Sequence, residues 1–142
     1  MIIWIDGALV IAIRERQLSE HGGGSGLRDK NLLDAALARP RHLHAYGQPS
    51  PDLADLAASL AFGLARDHPF VDANKRTAHV CYRVFFALNS VELVASDEDK
   101  YLAMIALAEG RLSEAEFAQW LRKRITHNST NRLNEPRSRY AR

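Results

Sequence analysis

The chain has 142 residues, 46% hydrophobic and 25% charged, a balance that fits one globular domain and excludes wholesale disorder. A net charge of +2 points to no particular polyanionic partner, and no run approaches the roughly 18 apolar residues of a membrane span. The single cysteine, Cys81, cannot close an internal disulfide, and the apolar start Met1-Ile2-Ile3-Trp4-Ile5 is too short and lacks the basic leader of a secretory signal, so a reducing cytoplasm is the expected compartment.

Apolar residues recur at spacings of three and four with little strand-like alternation, which predicts an all-α fold. A first helix is expected from about Asp6 to the Gly22-Gly23-Gly24 run, where positive φ is cheap. Asp29 is the expected cap of a second, with Leu32, Leu33, Ala36 and Leu37 facing inward and Pro40 as its stop. Arg39 to Gln48 shows no helical period and reads as a flap, either a loop or a short hairpin. Ser50, followed by Pro51 at the first helical position, predicts a third helix with the stripe Leu53, Leu56, Ala57, Leu60 and Leu64, ending near Asp67. The next segment, through Ala78, Cys81, Phe85 and Leu88, is apolar on more than one face and is expected to be the central buried helix, ending at Asn89-Ser90. Ser96 with Asp99 and Ser113 with Glu116 match capping boxes and predict two more helices, the first ending at Gly110. The domain is thus expected over residues 1–125. Residues 126–142 read as a disordered basic tail, the stretch from Ile125 carrying a surplus of +3.

Chemistry concentrates between the third and fourth helices, in His68-Pro69-Phe70-Val71-Asp72-Ala73-Asn74-Lys75-Arg76. A helix N-terminus offers unpaired N–H groups and partial positive charge, and Lys75 and Arg76 add full charges, a combination that favours phosphate. A carboxylate beside a polyphosphate is repelled unless a hard cation lies between them, so Asp72 suggests Mg²⁺, which one carboxylate plus phosphates can hold. Asn74 can satisfy loop backbone or a phosphate oxygen. His68 can accept a proton near neutral pH. Phe70, turned inward, would anchor the loop and fix His68 and Asp72 relative to one another.

These residues resemble the signature of the Fic/Doc family, and Lys75 after Asn74 resembles its Doc (death-on-curing) branch. The resemblance covers roughly Ile5 to Ile125. It implies a compact helical fold binding ATP with Mg²⁺ at the motif loop. It also implies His68 as general base toward a target hydroxyl, Asp72 as the metal ligand, and Asn74, Lys75 and Arg76 with loop backbone at Ala73 as phosphate binders. Doc-type relatives are toxins of toxin–antitoxin pairs that transfer the terminal phosphate to a threonine of elongation factor Tu and arrest translation. AMP-transferring members have Gly where Lys75 stands and a second Arg where His79 stands; both departures favour phosphate over AMP transfer. Many Fic proteins restrain themselves with a Ser/Thr-x-x-x-Glu-Gly/Asn helix. Glu109-Gly110 is the only Glu followed by Gly or Asn here and has Ile105 four residues before it, so restraint is expected from an antitoxin in trans.

Blander readings stand beside these. The motif could be a solvated interhelical loop in which Arg76 pairs with Asp72. Arg66 is a candidate for positioning phosphate or target, but an ion pair with Asp67 or Asp55 accounts for it equally well. His79 reads as a helix residue satisfied by a neighbour. His42 and His44 at i and i+2 suit a strand face, without the further ligands a metal needs. Cys81 reads as inert core. The alternatives to phosphate transfer are AMP transfer and a non-enzymatic binding module using the basic tail, for which direct nucleic-acid binding would be weak and salt-dependent.

Overall fold

Short polar side chains start five of the six helices found among the described residues. The computed structural model describes residues 1–23, 29–67, 69–70 and 73–127. Asp6 caps α1 (Gly7–His21) by accepting from Leu9 N–H, and Asp29 caps α2 (Lys30–Tyr46) by accepting from Asn31 and Leu32 N–H. Asp52 and Ser113 form reciprocal capping boxes with Asp55 and Glu116 at the heads of α3 (Leu53–Arg66) and α6 (Glu114–Arg122). Ser96 caps α5 (Asp97–Ala108) by accepting from Asp99 N–H. α4 (Asn74–Leu88) begins at Ala73, which offers no side-chain acceptor. No helix among the described residues is long and apolar enough to cross a membrane.

The all-α class expected from the periodicity is the class observed, with several local corrections. α2 runs through Pro40 to Tyr46, so the expected flap over Arg39–Gln48 is helix except at its end. Proline within a helix costs about 3 kcal/mol, so tertiary contacts must outweigh the local penalty. Arg39 supplies several: Nη1 donates to Ser59 O at 2.9 Å, Nη2 meets Glu114 Oε1 at 2.8 Å, and the guanidinium lies 4.9 Å from the Phe62 ring centre. His42 and His44 therefore sit on a helix, one edge-on to Tyr46 at 4.8 Å and the other edge-on to Trp4 at 5.7 Å.

The cap of α3 is Asp52, with Ser50 two residues outside it, because Asp52 can form the reciprocal box with Asp55. The most enclosed helix is α3, which buries ten of its 14 residues, against seven of 15 in α4. Its small residues permit this. A methyl group on Gly63 would lie 3.2 Å from Ala36 Cα, so α2 and α3 cross almost in backbone contact. α4 packs along the other side of α3 through Cys81, Tyr82 and Phe85, and α5 and α6 close the core with Met104, Leu107, Phe117 and Leu121.

The chain after Ile125 also differs from expectation. Val91–Leu93 (β1) and Ile125–His127 (β2) pair antiparallel, with Val91 opposite His127 and Leu93 opposite Ile125. Thr126 and His127 thus belong to the folded unit; residues 128–142, the rest of the expected tail, lie outside the described residues.

Candidate functional site

The turn from α3 into α4 places the motif at the head of α4. Ala73 adopts φ 69° and ψ 22°, a left-handed conformation that L-residues other than Gly, Asn and Asp seldom take. That backbone turn leads the chain into α4. Among the described residues no side chain accepts from the Lys75 or Arg76 amides.

Two residues lock the turn. Phe70 is buried at 1% exposure. Its N–H donates to Asn74 Oδ1 at 3.1 Å and its carbonyl accepts from Asn74 Nδ2 at 3.0 Å. Of the two roles open to Asn74, the structure displays the backbone one. Pro69 O accepts from Asp29 N–H at 3.1 Å, tying the head of α2 to the same loop. His68 and Asp72 lie outside the described residues.

The cations divide. Lys75 is exposed and forms no ion pair among the described residues. Arg76 turns toward α1, where Nη2 donates to Gly22 O at 3.0 Å and Nη1 to Gln17 O at 3.4 Å. Those bonds satisfy carbonyls at a helix C-terminus, where a cation is also favoured by the helix dipole. Part of the Arg76 guanidinium expected to face phosphate is thereby engaged by backbone. Lys75 and Arg76 still line one cavity of about 470 Å³, with Gln17 and His21 from α1, His79 from α4, and Tyr101, Met104 and Ile105 from α5. Arg66 is not among its lining residues. It lies 5.4 Å over the Phe62 ring beside Gly110, and forms neither of the ion pairs considered for it; Asp55 pairs with Arg122 at 2.7 Å instead.

His79 is less satisfied than expected. Its neighbours are the ring edges of Tyr82 and Tyr101, at 6.0 and 6.5 Å, and its Nδ1 is buried without a hydrogen-bond partner among the described residues. Burial, then the charges of Arg83 and Lys100, push its pKa down to about 4, so the ring is neutral at pH 7. Cys81 is core, its thiol pushed up to about 12 by burial.

One contributor escaped the sequence reading. Arg14 of α1 is 2% exposed, and its guanidinium carbon lies 4.8 Å from the Phe70 ring centre. The available signal was its place four residues after Val10 on the inner stripe of α1, where an apolar residue is the ordinary choice.

Comparison with known proteins agrees with this arrangement. The Fic/DOC family pattern matches residues 4–86, which include α1, the loop and most of α4. A protein of Mycolicibacterium smegmatis (strain ATCC 700084 / mc(2)155) named Toxin Doc is 48% identical over 75 residues, 52% of this chain and 57% of its own length, so that match spans little more than half of the relative. A protein of Escherichia phage P1 named Protein kinase doc is 32% identical over 114 residues, 80% of this chain and 89% of its own. The matched stretch carries the left-handed turn, the Asn74 clamp and the Lys75–Arg76 pair at the head of a buried helix, and on these grounds the chain belongs to the Fic/DOC family, on its Doc branch.

Proposed function

We propose that this chain is a Doc-like toxin that transfers the terminal phosphate of ATP to a hydroxyl of a translation protein, by family resemblance a threonine of elongation factor Tu. The observation that carries the reading is the head of α4: a left-handed Ala73 without a side-chain acceptor, first-turn amides that no side chain caps among the described residues, and the exposed Lys75 on a cavity of about 470 Å³. This is the donor set that a polyphosphate needs. These features support the nucleotide reading. Mg²⁺ would be held by Asp72 together with the phosphates, and would neutralise charge on the transferring group.

His68 takes the proton of the target hydroxyl. The hydroxyl oxygen forms the new bond to the γ-phosphorus, the bond to the β–γ bridging oxygen breaks, and ADP leaves with that electron pair. Lys75 and the α4 amides hold the phosphates in line; Ala73 and Asn74 serve by fixing the turn. His79 favours this outcome over AMP transfer. A neutral imidazole stands where AMP-transferring relatives carry a second arginine, so no second guanidinium clamps the phosphates from that position. Arg66, outside the cavity, is left to contact the target protein. Restraint by an antitoxin in trans belongs to the same reading, supported by the likeness to a protein named Toxin Doc.

The test is transfer to elongation factor Tu from ATP labelled at the γ or the α phosphate. Label arriving from the γ position alone is expected. Label from the α position alone would replace phosphate transfer with AMP transfer, and no label from either would leave a binding protein. His68→Ala is expected to abolish transfer while nucleotide binding survives.

A further inference from the structure

We propose that the cavity between α4, β1 and α5 binds inorganic phosphate, held by Arg83 and Lys100 and selected by Glu92. The cavity has about 350 Å³, with Arg83 and Phe86 of α4, Glu92 and Leu93 of β1 and Lys100 of α5 in its wall. It shares no lining residue with the cavity of Lys75 and Arg76. Arg83 follows Lys75 by eight residues, about 12 Å along α4, so the site is separate from the head of the helix.

The two cations single this cavity out. Elsewhere on the molecule cations find close carboxylates: Lys30 meets Asp34 at 2.8 Å, Arg39 meets Glu114 at 2.8 Å and Arg122 meets Asp52 at 2.6 Å. Arg83 forms no hydrogen bond or ion pair among the described residues. The Lys100 side chain is only 13% exposed, and its carboxylate contact is a long one, 3.8 Å from Asp97, which is 99% exposed. A contact of that length to a solvated partner offsets little of the cost of enclosing an ammonium. Glu92 lines the same cavity and pairs with neither cation. Both charges are felt at His79, where they depress the pKa after burial has done so, as cations without a close counter-charge would.

A guanidinium and an ammonium on one small cavity suit an oxyanion, which accepts charge-assisted hydrogen bonds from both. Glu92 narrows the choice. A carboxylate repels a fully deprotonated oxyanion, but near neutral pH phosphate keeps at least one proton, and that O–H can donate to a Glu92 carboxylate oxygen. Sulfate has no proton to give and presents only acceptors to an acceptor. Two cations with one carboxylate therefore prefer phosphate to sulfate, although the two ions are close in size.

The experiment follows the backbone amide signals of residues 83, 92 and 100 in the full chain by NMR, titrating inorganic phosphate, sulfate, chloride or ATP at matched ionic strength. Phosphate is expected to shift all three signals saturably, and chloride to leave them in place. Arg83→Gln and Lys100→Gln should each weaken phosphate about tenfold, as the loss of one charge-assisted contact implies. Sulfate should bind the wild type about tenfold more weakly than phosphate, and Glu92→Gln should close that gap. Should one of the two cation variants fail to fold, the other carries the test. No saturable shift, or an equal response to chloride, would leave two solvated cations and no site. Equal binding of sulfate and phosphate by the wild type would overturn the selection by Glu92, and shifts produced by ATP alone would show that inorganic phosphate is not the ligand. The site stands apart from the phosphate-transfer reading: Lys75→Ala should leave the phosphate response at residues 83, 92 and 100 intact, so either idea can fail without the other.

Discussion

The side-chain amide of Asn74 satisfies both backbone groups of Phe70, accepting from its N–H at 3.1 Å and donating to its carbonyl at 3.0 Å. Both residues are buried, so no bulk water stands ready to replace either bond. Asn74→Ala leaves two enclosed polar groups without this partner, at about 1–3 kcal/mol each. Asn74→Asp keeps the acceptor, loses the donor and adds a buried charge. Both variants should unfold at lower urea concentration than wild type, and a midpoint unchanged in Asn74→Ala would show the clamp to be dispensable.

Lys75 contributes charge at the cavity with little structural obligation, being exposed and outside every ion pair among the described residues. Lys75→Ala should therefore leave the thermal midpoint within a degree or two while weakening ATP binding about tenfold, the order expected when a charge-assisted contact worth roughly 1.5 kcal/mol is lost. Calorimetric titration with ATP checks it, and equal affinity would take Lys75 out of the phosphate site.

His79 should make stability depend on pH. Its folded pKa, about 4, lies below the ordinary imidazole value of 6.5. Above pH 6.5 the ring is neutral in both states. As pH falls from 6.5 through 4 the unfolded chain takes up a proton that the folded chain refuses, so stability is lost across that window. The groups around it are Arg83 and Lys100, which oppose protonation, Asp97, which favours it, and the rings of Tyr82 and Tyr101. Asp52 belongs to a lower window, because the hydrogen bond from Arg122 holds its carboxyl down at about 2 and its stabilising share is lost only as pH falls from about 4 towards 2. His79→Phe, which keeps the ring contacts, should flatten the slope of the urea midpoint between pH 7 and 5; an unaltered slope would count against His79 as its source.

The position of β2 separates two truncations. Removing residues 128–142 leaves the β1–β2 pairing whole and should leave nucleotide binding and transfer intact, the outcome that distinguishes an enzyme from a module acting through its basic tail. Removing 125–142 deletes β2 and uncovers Val91, so it should lower the thermal midpoint. Loss of transfer in the shorter deletion, with an unchanged melting curve, would favour the tail as the working part.

Helix beginnings were legible because a cap is a local bargain between a side chain and amides two or three residues on; Asp6, Asp29, Ser96 and Ser113 all act within that range. Pro40 misled for the same reason. Its penalty is local, whereas the contacts that offset it reach from Arg39 to Ser59 and Glu114, 20 and 75 residues away. Ranking α4 above α3 as the buried helix followed from bulk: α4 carries the aromatics, but the alanines of α3 are what allow neighbours close enough to enclose it. The head of α4, with Lys75 and Arg76 in its first turn, was legible from nine consecutive residues. Arg14 was not, since a cation on an amphipathic helix reads as solvated until a ring 56 residues later is found against it.

The short ladder between Val91 and His127 has a practical consequence for anyone attaching this protein to a surface. α4 rises about 1.5 Å per residue, so its 15 residues separate its two ends by roughly 22 Å. Lys75 stands at one end, while His127 is moored beside the strand that follows the other. A tether joined after His127 therefore starts from the opposite pole of the helix, and a sensor chip or resin can grip the chain there with the Lys75 end turned to the solution.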